Sequence, residues 1–125
     1  MQTEIDKALT ILKQGGIILY PTDTIWGIGC DSSNSNAIAK IFKLKNRADN
    51  KSLISLVASK EQLRSITGNI PNLDITSCPT TIVYHKTKGL NQKLLSENGS
   101  AAIRIVQDEF CKKLILSFGK AIVST

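Results

Sequence analysis

Apolar residues recur along this chain with two periods, and segments of each period alternate. Ile5, Ala8, Leu9 and Leu12 fall on one face of a helix that Gly15-Gly16 brings to an end. Thr3-Glu4-Ile5-Asp6 at its start resembles a capping box, with Asp where Glu is usual. Ile17-Ile18-Leu19-Tyr20 is too short and too β-branched for a helix and predicts a buried strand. Pro21 has no backbone donor and should close that strand or sit at its edge. Residues 25–30 resume as a strand. Gly27 and Gly29 in it lie two apart, so they share a face and leave room for another backbone or a ligand. Ala37, Ile38, Ile41 and Phe42 then repeat at helical spacing, with Ser35 or Asn36 as the N-cap.

The second half continues the alternation. Residues 53–58 predict a strand. Ser59 should cap a short helix through Ile66, with Gln62 at the capping-box position. Gly68-Asn69-Ile70-Pro71-Asn72 is a turn-rich connection. Ser77-Cys78-Pro79-Thr80-Thr81 leads into the strand Ile82-Val83-Tyr84-His85, and Lys86, Lys88 and Lys93 flank a loop and short helix. Ala101-Ala102-Ile103-Arg104-Ile105-Val106 is a strand whose apolar run is broken by one arginine. Asp108 should cap a last helix with Phe110, Cys111, Leu114, Ile115 and Phe118 on its core face. Gly119 ends it, and residues 121–125 begin another strand. Strands alternating with helices predict an α/β fold. Two adjacent strands around residues 22–24 argue against a purely parallel sheet, so a mixed, twisted sheet flanked by helices is expected. A chain of 125 residues can bury one real core but not two, giving one domain over residues 1–125.

Charge and composition narrow the function. A net charge of +6 suits a polyanionic ligand such as ATP or RNA. The three cysteines, Cys30, Cys78 and Cys111, have no metal-ligand spacing and an odd count, so buried thiols in a reducing cytoplasm are expected. No signal pattern or long apolar run appears, and neither secretion nor membrane insertion is expected. There is no GxGxxG or GxxxxGK[ST] phosphate loop, and His85, the sole histidine, sits at a strand end where a structural or exposed role is usual.

Candidate chemistry gathers elsewhere. Thr22, Asp23 and Thr24 offer two hydroxyls and a carboxylate in one turn; Asp23 and Thr24 are equally natural turn formers. Lys40 and Lys43 begin a basic helix edge that runs into Lys45 and Arg47. Alone that edge reads as a solvated lysine face; after a hydroxyl-rich turn it also makes a polyphosphate clamp. Arg104 within a strand must be paired internally or meet a ligand.

YPTDTIWGIGCD followed by IFKLKNRADNKSLISLV resembles the YrdC-like family of threonylcarbamoyl-AMP synthases. The likeness runs from about Leu9 to Thr125 and includes the YPT(D/E)T turn, Gly-x-Gly and a helix ending in KxR. It departs at Ala48, Ser52, Cys78 and Val106, where the family favours Pro or Gly. The resemblance implies that L-threonine, bicarbonate and ATP give threonylcarbamoyl-AMP and pyrophosphate for tRNA modification. It implies Lys45 and Arg47 as the catalytic cations, and Thr22, Thr81 and Arg104 as threonine- or ATP-binding residues. Magnesium would arrive with ATP, with no metal cage of protein ligands. Implied partners are tRNA or double-stranded RNA and the proteins that transfer threonylcarbamoyl to tRNA. The family's Ser-x-Asn element would follow Ser124-Thr125, so the domain is expected to be incomplete at its C-terminus. The other reading is a non-catalytic YrdC-like module binding RNA or nucleotide, or an inactive fragment.

Overall fold

The computed structural model describes residues 1–21, 26–45, 53–68, 70, 80–96 and 98–124. The elements are α1 (Gln2–Lys13), β1 (Ile18–Pro21), β2 (Trp26–Asp31), α2 (Ser35–Lys45), β3 (Ile54–Val57) and α3 (Lys60–Thr67). They continue with β4 (Thr81–Tyr84), β5 (Ala101–Ile105), α4 (Glu109–Phe118) and β6 (Ile122–Ser124). The short helix expected near Lys93 is a single 3₁₀ turn, Gln92–Leu94.

The six strands form one mixed sheet in the order β1-β2-β6-β3-β5-β4. Only β3 and β5 are parallel; β1 with β2, β2 with β6, β6 with β3 and β5 with β4 run antiparallel. Pro21 falls on β1, an edge strand of the described sheet, where its missing donor breaks no inner ladder.

Helices cover both faces. On one, α1 and α4 bury Ile5, Leu12, Leu114 and Ile115 against Ile18, Tyr20, Leu56 and Ile122 of the sheet. On the other, α2 buries Ala37, Ile38, Ile41 and Phe42 against Cys30 and Val123, and α3 buries Leu63 and Ile66 against Val57, Ile103 and Ile105. The stripes of α1, α2 and α4 are the ones the periodicity marks.

The helix ends show where local chemistry decided the boundary. The capping box at Thr3 does not form. α1 starts at Gln2, so Thr3 already lies inside the helix, and Asp6 accepts from Gln2 Nε2 at 2.9 Å instead. At its other end Gly16 N donates to Ile11 O at 2.8 Å and Gly15 N to Leu12 O at 3.1 Å. With Gly15 at φ 78° this is a Schellman close, which glycine adopts without a Cβ penalty.

Neither Ser35 nor Asn36 caps α2. Asn34 does, its Oδ1 accepting from Ala37 N at 2.9 Å. The helix is set one residue early by Asp31, whose Oδ1 accepts from Ser33 N at 2.8 Å while its carbonyl accepts from Asn34 N. Ser59 and Asp108 cap α3 and α4 as expected, through Gln62 N at 3.2 Å and Cys111 N at 3.0 Å. Gln62 Oε1 reaches back to Ala58 N at 2.7 Å, one residue beyond the usual capping-box donor.

Candidate active site

The register places the chemistry. Partners across a strand ladder share a face, so Leu56, Arg104 and Thr81 project together from β3, β5 and β4. They project on the side that α1 and α4 cover further along, since Leu56 is part of that core. Over β5 and β4 the cover gives out. Thr81 and Val83 are exposed, and Ala102 and Arg104 are half-buried. Arg104 Nε donates to Thr81 Oγ1 at 2.9 Å, joining two of the candidate residues across 23 positions of sequence.

Thr81 and Val83 form one wall of a cavity of about 390 Å³. Leu53, Ile54 and Ala102 form its apolar side, and Ser96 and Ser100 supply hydroxyls. Those two hydroxyls lie 2.6 Å apart, in a turn that closes through Ser96 N to Ser100 O at 2.8 Å. The cavity therefore offers a greasy floor and a hydroxyl-bearing rim, and Thr81 in its wall is bonded to the Arg104 cation. That set suits a ligand with an apolar part and an anionic part.

Of the remaining candidates only Lys45 can be placed, by its position at the end of α2. α2 turns back along β2, so Lys45, its last residue, comes to where β2 begins. There β3 also begins and β6 ends, because Ser124 is opposite both Gly29 and Ile54. Lys45 is described only as that last helical residue. Thr22, Asp23, Thr24, Arg47, Ala48, Ser52, Cys78, Pro79 and Thr125 lie outside the described residues.

Two residues that the motif reading left out share that face at a distance, Ser124 two strands from Arg104 and Tyr20 on the far edge strand. Tyr20 and Ser124 are buried on the Arg104 face. Burial pushes the Tyr20 phenol well above its ordinary range, and the nearby Ser124 side chain and Arg104 charge temper that rise. Strand alternation could have found them: Tyr20 pairs with Gly27, and Ser124 with Gly29, on the face the two glycines share. The Cys30 thiol, on the opposite face under α2, is pushed up to about 12 by burial and by Asp31. It is an inert core thiol. His85 is exposed, and Arg104 takes the internal partner that its strand position demanded.

The Sua5/YciO/YrdC family model, described as telomere recombination, matches residues 10–125. The chain belongs to the Sua5/YciO/YrdC family. Among its relatives, the threonylcarbamoyl-AMP synthase of Psychromonas ingrahamii is 34% identical over 132 residues, covering 99% of this chain and 69% of that protein. The protein of the same name from Blochmanniella pennsylvanica is 35% identical over 91% of this chain and 63% of its own length.

A Sua5 variant from P. abyssi superposes on the whole chain with a TM-score of 0.89 at 26% identity, and the chain spans 40% of it. E. coli YciO superposes on the whole chain with a TM-score of 0.83 at 21% identity, a likeness of fold alone, and the chain spans 64% of it. The mixed sheet with helices on both faces is thus the Sua5/YciO architecture. The naming of its relatives supports a nucleotidyltransferase-type enzyme of tRNA modification. Among the described residues no helix is long and apolar enough to cross a membrane.

Proposed function

We propose that this chain carries the threonylcarbamoyl-AMP synthase site, joining L-threonine, bicarbonate and ATP. In that reaction the threonine amine and bicarbonate give a carbamate and water. A carbamate oxygen then attacks the α-phosphorus, the bond to the β-phosphate oxygen breaks, and pyrophosphate leaves. Carbamate and triphosphate are both anionic, so the reaction needs fixed positive charge held where they meet. The observation that carries the reading is the Arg104–Thr81 pair at 2.9 Å on the open face beside the cavity. The threonine hydroxyl takes the guanidinium Nε–H, and a guanidinium carries four further N–H donors of the kind that bind a carboxylate or phosphate.

Lys45 and Arg47 are the further cations in this proposal, and Thr22 the hydroxyl that receives the amino acid. Sua5 of P. abyssi has been obtained complexed with L-threonine, which supports threonine as a ligand here. Among the described residues no three His, Cys, Asp or Glu side chains converge as a metal site. In this proposal magnesium enters with ATP and would neutralise the leaving pyrophosphate. Carbamates and mixed anhydrides hydrolyse readily, so the reaction needs water kept from the cavity once the substrates are bound.

The test is pyrophosphate release from ATP with threonine and bicarbonate each present or omitted. It is run on the chain together with whatever native residues follow Thr125. Release should need both. Arg104→Ala should weaken ATP binding about tenfold, the worth of one charge-assisted contact. No threonine-dependent release refutes the proposal. If the same protein instead binds RNA in a salt-sensitive way, the non-catalytic module is the better description.

A further inference from the structure

A second cavity, of about 210 Å³, opens at the other end of the sheet. Ser32, Gln62, Lys88, Leu90, Lys120 and Ala121 are among the residues around it. Ser32 follows β2 directly and Ala121 precedes β6, so this is the end where Asp31 pairs with Ile122. The cavity beside Thr81 lies instead towards Ile54. Leu90 packs against the core under α3, on the face away from Arg104.

Backbone bonds hold the walls together. Ser32 N donates to Ala121 O at 3.3 Å, Asn91 N to Ser32 O at 3.0 Å and Lys88 N to Ile66 O at 2.8 Å. The turn after β2, α3, the loop after β4 and the turn after α4 are tied to one another in this way. Ser32 is 2% exposed, and among the described residues its hydroxyl makes no hydrogen bond, although its backbone N–H and carbonyl both do. A buried hydroxyl in that condition costs free energy until a ligand or water engages it.

The other polar groups add donors and positive charge. Gln62 Oε1 accepts from Ala58 N at 2.7 Å, so what that side chain has left to offer is N–H donors. Lys88 and Lys120 bring two ammonium groups from two different loops, and no carboxylate is among the described residues around the cavity. The carboxylate of Asp31 lies 3.6 Å from Lys120 Nζ, with the lysine 55% exposed. A surface pair of that kind is worth little, so the ammonium can turn to a better anion.

We propose that this cavity is a phosphate-binding site, separate from the synthase site and independent of that reading. The Ser32 hydroxyl donates to one phosphate oxygen at the base, and Lys88 and Lys120 neutralise the group at the rim. Donors arriving from separate segments suit a tetrahedral anion, where a planar carboxylate would be served by one fork. The volume is below that of a drug-sized pocket and suits a phosphate group with little else. That group can come from a free phosphate compound or from an RNA backbone.

The test is a titration of the chain with inorganic phosphate, followed by amide chemical shifts in NMR, on wild type, Ser32→Ala and Lys88→Ala. Shifts should centre on Ser32, Lys88, Gly89 and Lys120. Ser32→Ala should weaken binding about tenfold, since a buried donor to a charged acceptor is lost. Lys88→Ala should weaken it about threefold, since that ammonium is exposed. Wild-type affinity in Ser32→Ala overturns the proposal; if that variant does not fold, wild-type affinity in Lys88→Ala overturns it. So does the absence of shifts at these four amides, or their confinement to Thr81, Arg104 and their neighbours. A second titration with a short single-stranded RNA reads the source. RNA that moves the same amides, with a steeper salt dependence than inorganic phosphate, identifies the RNA backbone. RNA that leaves them unmoved identifies a free phosphate compound. None of these measurements needs activity, so a chain that releases no pyrophosphate refutes the synthase reading and leaves this site standing.

Discussion

Gly29→Ala is the substitution whose effect the structure predicts against simple propensity. A glycine inside a strand is disfavoured relative to alanine by roughly 0.5–1 kcal/mol, so the change should stabilise an ordinary strand. Here the new methyl meets the Tyr20 ring at 2.5 Å and the Val123 carbonyl oxygen at 2.7 Å. One neighbour is a buried aromatic ring under α4 and the other is backbone of an inner strand, so neither yields without disturbing the sheet. Overpacking of this kind costs about 1–3 kcal/mol.

Subtracting the propensity gain leaves a net loss of up to about 2.5 kcal/mol, centred on about 1 kcal/mol, or a fall in Tm of about 3–6 °C for a domain of this size. Urea unfolding followed by circular dichroism should show a lower midpoint with the slope unchanged, since the surface exposed on unfolding is the same. In a Tyr20→Ala background the ring contact is gone and only the carbonyl contact remains, so the penalty should shrink. A neutral or stabilising Gly29→Ala, or an equal penalty in both backgrounds, refutes the claim that Gly29 exists to seat Tyr20.

The other expectations follow from single contacts. Asp108→Ala removes the acceptor for Cys111 N at the start of α4 and should lower stability by about 0.5–2 kcal/mol. Asp108→Asn should recover most of it, and equal losses in the two variants would show that the cap is unimportant. Stability should also decline in alkali. Above its ordinary value of 9.0 the Cys30 thiol ionises in the unfolded chain, while burial keeps it protonated in the fold up to about 12. The folded state then binds the extra proton, so each pH unit in that window costs up to about 1.4 kcal/mol, and Tyr20 adds to the loss above its ordinary 10.0. Unfolding free energies measured from about pH 8 to 11 should fall, less steeply in Cys30→Ala. A flat profile would contradict the burial-driven shift.

The Arg104–Thr81 contact joins two residues that the sequence offered as candidates for different reasons. Arg104 declared itself by breaking an apolar strand, and Thr81 only through the family resemblance. Tyr20 was hidden for the opposite reason: an aromatic residue in an apolar run reads as core, and it is core. Only its unpartnered hydroxyl separates it from Leu56 beside it. The α2 cap was misjudged because Asn34, Ser35 and Asn36 are all competent caps, and the choice fell to the turn that Asp31 builds upstream.

What the amino-acid sequence determined by itself is what depends on neighbours within a turn or two. The helix and strand periods, three core-facing stripes, the glycine stops and two of the caps are all of this kind, because they follow from φ/ψ preference and local hydrogen bonding. What only the tertiary structure decided is which strands meet. β6, last in the chain, inserts between β2 and β3, and this brings Ser124 to Gly29 and Ile54. The β4–β5 register sets Thr81 against Arg104. A one-residue slip would send those side chains to opposite faces, and nothing within either segment forbids it. The register is set by burying both faces of the whole sheet at once, an energy that belongs to no single stretch of the chain.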